Sequence, residues 1–346
     1  MLIKNVKLSN FRNHKNIELE LSEKTNVIYG KNAHGKTNIL ESIYVCAVGK
    51  SFRARKDSDL ILFDNEFATI DIEFQKNDRE KKINFVISNK NKKQIKINGI
   101  KIDKISELFG NIIVILFSPD DVDIIKGDPS GRRKYFDLLI SQLKPSYMYS
   151  LQEYYKVIEQ RNTFLKTRNM NATLELDIWD EKLAELNIKI SKIRKEVVEE
   201  LNPLFKQYMI EFSDEKEKAE IEYKTQITTD DVVKKLKERR YIDFERGNTS
   251  FGIHRDDYKF KINGLEVNNF GSQGQIKSSV LSLKLAQKDL IEQKNDEKPI
   301  MLLDDVMAEL DVDRRKYILN KIKECQVIIT CTDLDDIVED VKKFNI

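Results

Sequence analysis

Apolar and polar residues alternate along much of the first hundred positions. LIKNVKLSN, NIELELS, FATIDIEF, KINFVIS and KQIKING turn successive side chains to opposite faces, the period of a half-buried β-strand. VIYG, Val27 to Gly30, is a short apolar run and predicts a strand covered on both faces. Asn98-Gly99 within IKINGIKI predicts a hairpin, because both turn residues must accept positive φ. FKINGLEV repeats the signal at Asn263-Gly264, as a second ordinary hairpin rather than a duplication.

From about Ser130 to Met209 the period lengthens. SYMYSLQEYYKVIEQRNTFLK and LDIWDEKLAELNIKISKIRKEVVEELNPLFKQYM have helical spacing. Leu176, Trp179, Leu183, Leu186, Ile190, Ile193 and Val197 recur three or four apart and form one apolar stripe. Two long helices packed antiparallel across a loop near Arg168 to Thr173 are expected. The charged run KKLKERR, Lys234 to Arg240, closes the region. Strand pattern resumes near Phe260, followed by a helix from about Gln275 and strands at PIMLLDD and QVIITCT. The expected organisation is an α/β half over 1–128, a helical insert over 129–244 and a second α/β half over 245–346.

Composition changes this picture little. A chain of 346 residues can hold two units with a sizeable core. Lys plus Arg number 60 against 58 Asp plus Glu, so a nucleic-acid face would have to come from local clustering. Four clusters qualify: Arg53, Arg55 and Lys56; Lys90, Lys92 and Lys93; Arg132, Arg133 and Lys134; and the Lys234–Arg240 run. None has interleaved aromatics, so DNA would be bound by shape and charge rather than by base reading. The three cysteines, Cys46, Cys325 and Cys331, form no CxxC, and a zinc site is not expected. Sparse cysteines suit a reducing cytoplasm. MLIKNVKLSNF has no secretory apolar core, and IIVILF is too short to cross a membrane.

The chemistry starts at GKNAHGKT, Gly30 to Thr37, which fits G-x-x-x-x-G-K-[ST] between an apolar strand and an amphipathic helix. Gly30 and Gly35 let the backbone curl so that several N–H groups face phosphate oxygens. The helix N-terminus adds positive potential. Lys36 would reach the β and γ phosphates, and the Thr37 hydroxyl would ligate Mg²⁺. His34, inside the loop, reads as a solvent-facing side chain rather than a catalyst.

Such a loop needs a carboxylate for the metal. PIMLLDD ends an apolar strand in two aspartates: Asp304 is the expected metal ligand and Asp305 the general base for an attacking water. AELD and a strand ending in TCTD follow. About 30 residues upstream, FGSQGQIKSSVLSLKLAQ places Ser272 and Gly274 at the start of a helix, which is either a simple cap or an anion site. At this distance from the Asp-Asp strand it resembles the signature motif of ABC ATPases, which implies that two chains sandwich two nucleotides.

LSNFRNH, GKNAHGKTNILESIY, GKSFR, FSPDDVDIIKGDPSGRRKYFD, GIHRDD, FGSQGQIKSSVLSLKLAQ, PIMLLDDVMAELD and VIITCTD stand in this order from Lys4 to about Asp333. The chain resembles the RecF family of bacterial recombination and repair ATPases. The resemblance implies an α/β fold, an SMC-like ABC-ATPase P-loop head with mixed sheets and an inserted helical arm. It implies ATP and Mg²⁺ as cofactors, an ATP-dependent homodimer, and binding to DNA duplexes, gaps or junctions. Partners would be RecR and RecO in the RecA-loading pathway, with a slow, switch-like ATPase at the cytoplasmic nucleoid and no membrane.

Carried over by position, Gly30, Lys31, Asn32, Ala33, His34, Gly35, Lys36 and Thr37, with the adjoining Asn38, match the Walker A segment. Asp304 matches the Walker B carboxylate, and Asp305 the place of the catalytic glutamate. Ser272, Gln273, Gly274 and Gln275 match the signature, and Glu309, Leu310 and Asp311 the D-loop. Thr332 stands at the switch-histidine position and Ser118 near the Q-loop glutamine. Arg12 matches an arginine near the nucleotide, with a surface hairpin charge as its plain alternative. The sequence departs from the family where proline is usual at Ile253, glutamine at His34 and Ile276, and arginine at Lys277. A small GTPase would need an N-K-x-D guanine reader, which is missing. A transporter subunit would lack the helical insert. A non-catalytic scaffold stays open, because Asp305 is shorter than glutamate.

Overall fold

The computed structural model describes residues 1–167, 173–213, 217–228, 231–332 and 341–346. Two compact units share them. Met1–Asp121 and Gln287–Ile346 form the first, and Val122–Ala286 the second.

The first unit holds two sheets. One is antiparallel, in the order His14–Glu20, Leu2–Phe11, Phe67–Lys76, Arg79–Ser88, Gln94–Ile97 and Ile100–Ile102. The alternating segments of the sequence build it, with Val6, Leu8, Ile70, Ile72, Ile83 and Phe85 turned to the core. Asn98 (φ 51°) and Gly99 (φ 80°) make the expected hairpin turn. The other sheet is parallel, in the order Lys342–Asn345, Thr25–Tyr29, Val327–Cys331, Ile300–Asp304 and Val114–Phe117. Val27–Ile28, Val327–Ile329, Ile300–Leu303 and Val114–Phe117 are apolar runs buried along their whole length. The helix Lys36–Val48 packs against strands of both sheets. Ten of its 13 residues are therefore buried, including Glu41.

In the second unit the helices Pro145–Lys166 and Thr173–Phe212 run antiparallel. Ion pairs Lys144–Glu196, Lys182–Glu153 and Arg161–Asp180 fall in reverse order along the two. The predicted stripe faces inward, with Leu176, Leu183, Leu186, Ile190 and Val197 almost wholly buried. Of the expected connecting loop, residues 168–172 lie outside the described residues. Asp180, Asn187 and Arg194 of the same helix are also buried, which the stripe does not announce. Arg161 bonds Asp180 and Asp243, and Arg194 bonds Asp137, Asp256 and the carbonyl of Ile253.

These contacts explain why the second unit continues past residue 244 to Ala286. Asp257–Ile262 pairs antiparallel with Ala219–Lys224, and Asp256 sits on Arg194. Asn263 and Gly264 turn this strand into Leu265–Glu266. The helix Gln273–Asn295 starts two residues earlier than its sequence pattern indicates.

Candidate nucleotide site

Thr25–Tyr29, Val327–Cys331 and Ile300–Asp304 are neighbours in the parallel sheet. Their C-terminal ends form the crevice where open α/β sheets bind ligands. The first strand delivers the phosphate loop, the third delivers Asp304, and the middle strand lies between them.

The loop has the backbone that the glycine spacing implies. Gly30 has φ +146° and Gly35 φ +99°. A Cβ on Gly30 would lie 2.1 Å from the backbone oxygen of Ile346, and one on Gly35 2.3 Å from Asn13 Oδ1. Lys36 is buried and donates to the carbonyls of Gly30 (2.8 Å) and Lys31 (3.1 Å), so its ammonium is held under the loop. Lys31, Asn32, Ala33 and His34 form the exposed rim. His34 is tied to the fold at one point, since its Nδ1 lies 3.1 Å from the backbone oxygen of Ile346.

Thr37 and Asp304 meet. The hydroxyl donates to Asp304 Oδ1 at 2.7 Å. Thr330, on the middle strand, donates to the same oxygen at 2.9 Å, and its Oγ accepts from the Asp305 N–H at 3.0 Å. Burial pushes the Asp304 carboxyl above its ordinary value, although both hydroxyls oppose the rise. A bound cation would reverse this shift. Among the described residues no three His, Cys, Asp or Glu side chains converge as a metal cage. One carboxylate and one hydroxyl beside a phosphate cradle suit Mg²⁺, which completes its shell with phosphate oxygens and water. Asp305 takes a left-handed backbone (φ 50°) at the strand end and is half-buried.

The flank of the loop holds residues that pattern reading passes over. The turn between Leu2–Phe11 and His14–Glu20 lies against the loop. Asn13 donates to the Ala33 carbonyl at 3.3 Å, His14 Nε2 is 3.0 Å from the Gly35 carbonyl, and Asn38 donates to Asn13 at 2.7 Å. Arg12, in the same turn, grips Glu41 through Nε (2.8 Å) and Nη2 (2.7 Å). It is therefore not a free hairpin charge. Arg53 reaches Asn38 at 2.5 Å and Glu41 at 3.2 Å. An amphipathic helix turns its polar residues to water, so nothing in the sequence marks Glu41 as buried.

Ser272 to Gln275 belong to the second unit. They form a reciprocal cap: Ser272 Oγ accepts from the Gln275 N–H (3.2 Å), and Gln275 Oε1 accepts from the Ser272 N–H (2.8 Å). Gln275 Nε2 also donates to Glu217 at 2.8 Å, and Gln273 Oε1 accepts from Lys126 at 3.2 Å. Gly274 lies within the first helical turn, where a Cβ would meet nothing closer than 3.8 Å. Asp311 caps the helix Val312–Ile322 by accepting from the Arg314 N–H. Leu310 is buried, and Glu309 falls in the short turn before it. Ser118 and Thr332 stand just past the ends of their strands, with Ser118 accepting the Asp121 backbone N–H in a local turn. Asp333 lies outside the described residues.

Comparisons with known proteins give the family and the fold. The RecF/RecN/SMC N terminal domain family matches residues 2–344. The DNA replication and repair protein RecF of Acetivibrio thermocellus is 42% identical over 347 residues, 96% of this chain and 94% of its own length. The chain belongs to the RecF family. RecF of Clostridium acetobutylicum is 41% identical, with 100% of this chain and 97% of its own length covered. The solved structure of a recombination mediator protein RecF with ATP, from the RecFOR pathway, superposes with TM-score 0.93 at 38% identity, covering 99% of this chain and 95% of its own. An Smc head domain from Pyrococcus furiosus gives TM-score 0.54 at 18% identity, with 96% of this chain and 90% of its own covered, a likeness of fold alone. The fold of this RecF-family chain is thus the α/β ABC-ATPase head of RecF and SMC proteins.

Within it the basic clusters separate. Arg132 is 5% exposed and clasps Asp257 through Nε (2.6 Å) and Nη2 (3.1 Å), so it cannot reach a DNA phosphate. Arg133 donates to the Asp256 carbonyl. Lys237 and Arg240 are paired with Asp177, and Arg240 also with Asp180. Lys93 binds Asp57 and the Gly49 carbonyl. Arg55, Lys56 and Lys92 are exposed, while Arg53 is turned to the nucleotide flank. No described helix is long and apolar enough to cross a membrane.

Proposed function

We propose that this RecF-family chain is a slow, DNA-stimulated ATPase whose ATP-bound form dimerises on DNA at duplex, gap or junction sites. Its place would be the cytoplasmic nucleoid, acting with RecR and RecO to help load RecA. The observation that carries the reading is the Thr37–Asp304 contact under a glycine-curled loop. It supports ATP with Mg²⁺ as the ligand.

In this reading the N–H groups of Gly30 to Thr37 orient the phosphates. Lys36 exchanges its carbonyl partners for β- and γ-phosphate oxygens. Thr37 and Asp304 are the residues that would hold Mg²⁺, whose charge neutralises the phosphate oxygens when bound. Asp305, fixed through its N–H by Thr330, accepts the proton of the attacking water. Ser272 to Gln275, at a capped helix N-terminus, would receive the γ-phosphate held by a second copy. A long-lived dimer then reports ATP, which suits a switch.

Light scattering with Mg-ATP, with Mg-ADP and without nucleotide tests this. A dimer with ATP alone is expected. Lys36→Ala should abolish ATP binding, while Ser272→Arg should keep it and block the dimer. A monomer in all three states with ATP bound would remove the trans-acting signature from the proposal.

A further inference from the structure

Glu41 sits on the inner face of the helix Lys36–Val48 with its side chain fully buried. Oε1 accepts from Arg12 Nη2 (2.7 Å) and Ser51 Oγ (2.5 Å), and Oε2 from Arg12 Nε (2.8 Å) and Arg53 Nη2 (3.2 Å). A carboxylate has about four lone-pair directions, and here each has a donor. Burial pushes the Glu41 carboxyl up, but hydrogen bonds from Arg12 and Ser51 and the charge of both arginines leave it below its ordinary value.

A buried ion pair is a weak source of stability, because desolvation consumes the Coulombic gain. An apolar side chain would fill this core position without that cost. What the carboxylate supplies is direction. Arg12 is fixed at three nitrogens, the third donating to the Asp59 carbonyl at 2.7 Å. Its turn touches the phosphate loop through Asn13 and His14. Arg53 is tethered at Nη2 only. Among the described residues its Nε and Nη1 have no hydrogen-bond partner, its guanidinium lies over the Phe52 ring at 5.6 Å, and its side chain is 37% exposed. Two guanidiniums share one carboxylate, so the cluster keeps a positive charge beside Asn38, the residue after Thr37. A guanidinium held at one edge and free at the other is set to take an anion.

We infer that Glu41 is a positioning residue of the nucleotide site: it fixes Arg12, whose turn props the phosphate loop, and holds Arg53 with its free edge toward the phosphates, without itself touching them. The inference rests on Gly30–Thr37 being the ATP site. Glu41 then acts only through its arginines, and removing one arginine forfeits part of what Glu41 does.

The test is a double-mutant cycle on the full chain, read as the Kd for the fluorescent probe mant-ATP with Mg²⁺. Thermal unfolding without nucleotide is followed beside it. Glu41→Gln and Arg12→Gln should each weaken binding about tenfold, and the double variant should fall well short of the product of the two losses. Full additivity, about a hundredfold, would show an independent structural effect and overturn the inference. So would unchanged affinity in Glu41→Gln with only a lower melting temperature. Should Glu41→Gln not fold alone, the double variant is compared with Arg12→Gln. A further tenfold loss overturns the inference, and a smaller one supports it. Lys36→Ala is the control for the site: if it binds the probe as the parent does, the ATP reading itself fails, whatever Glu41 does.

Discussion

Thr37 Oγ lies 2.7 Å from Asp304 Oδ1, joining two residues 267 positions apart in the chain. Asp304→Asn keeps the shape and the hydrogen bond but removes the anionic ligand. ATP binding by the parent should tighten when Mg²⁺ is added, and binding by the variant should not. Titrations with Mg²⁺ and with a chelator check this. A variant with the full Mg²⁺ response would place the metal elsewhere.

Gly35 is needed for its backbone as well as its size. At φ +99° an added Cβ meets Asn13 and His14 at 2.3 and 2.5 Å. Gly35→Ala should cost about 1–3 kcal/mol, measured by urea unfolding. Nucleotide affinity should fall as well, because relief of the clash displaces the turn that carries Arg12.

The cap at Ser272 has a stability value separate from any role in dimerisation. Ser272→Ala loses the acceptor for the Gln275 N–H and should destabilise the second unit by about 1 kcal/mol. Denaturant midpoints measure it. Ser272→Asp, which can still cap, should recover that stability.

His254 links the second unit to pH. Its Nδ1 lies 2.7 Å from the Tyr154 hydroxyl and its Nε2 3.0 Å from the Thr249 carbonyl, which suits a neutral ring with the proton on Nε2. Burial lowers its pKa from 6.5 to about 4. The hydrogen bond to the Thr249 carbonyl and the charge of Asp243 oppose the drop, and the nearby Arg255 and Arg133 add to it. The unfolded chain therefore takes up the proton first. The contribution is complete above pH 6.5 and is lost as pH falls toward 4, by roughly 3 kcal/mol in all. His254→Gln should flatten the stability curve across that window.

Arg132 is a structural ion, and DNA-binding assays should show it. Arg132→Ala leaves Asp257 without its forked partner and should cost roughly 3 kcal/mol. The slope of log affinity for duplex DNA against log salt should be unchanged in the folded variant. A Lys56→Ala variant that also kept the parent slope would remove that residue from the phosphate contacts.

Local order was enough for much of this protein. Strand alternation, the two Asn-Gly turns, the long helical stripe and the strand–glycine loop–helix unit are short-range patterns, and each lies in the structure where its period places it. The phosphate loop and the two strand-end aspartates were legible for the same reason, since their spacing is itself the chemistry. Tertiary structure alone decided what joins them. Thr330, on the strand between loop and aspartate, carries no local mark of its bond to Asp304. The edge strand Lys342–Asn345 is too short and too polar to announce itself, and it forms by pairing with Thr25–Tyr29. Arg132 and Arg53 looked like surface charge until folding supplied Asp257 and Glu41. A charge in sequence is only a charge; whether it faces solvent, a nucleotide or a buried partner depends on residues brought to it from elsewhere in the chain.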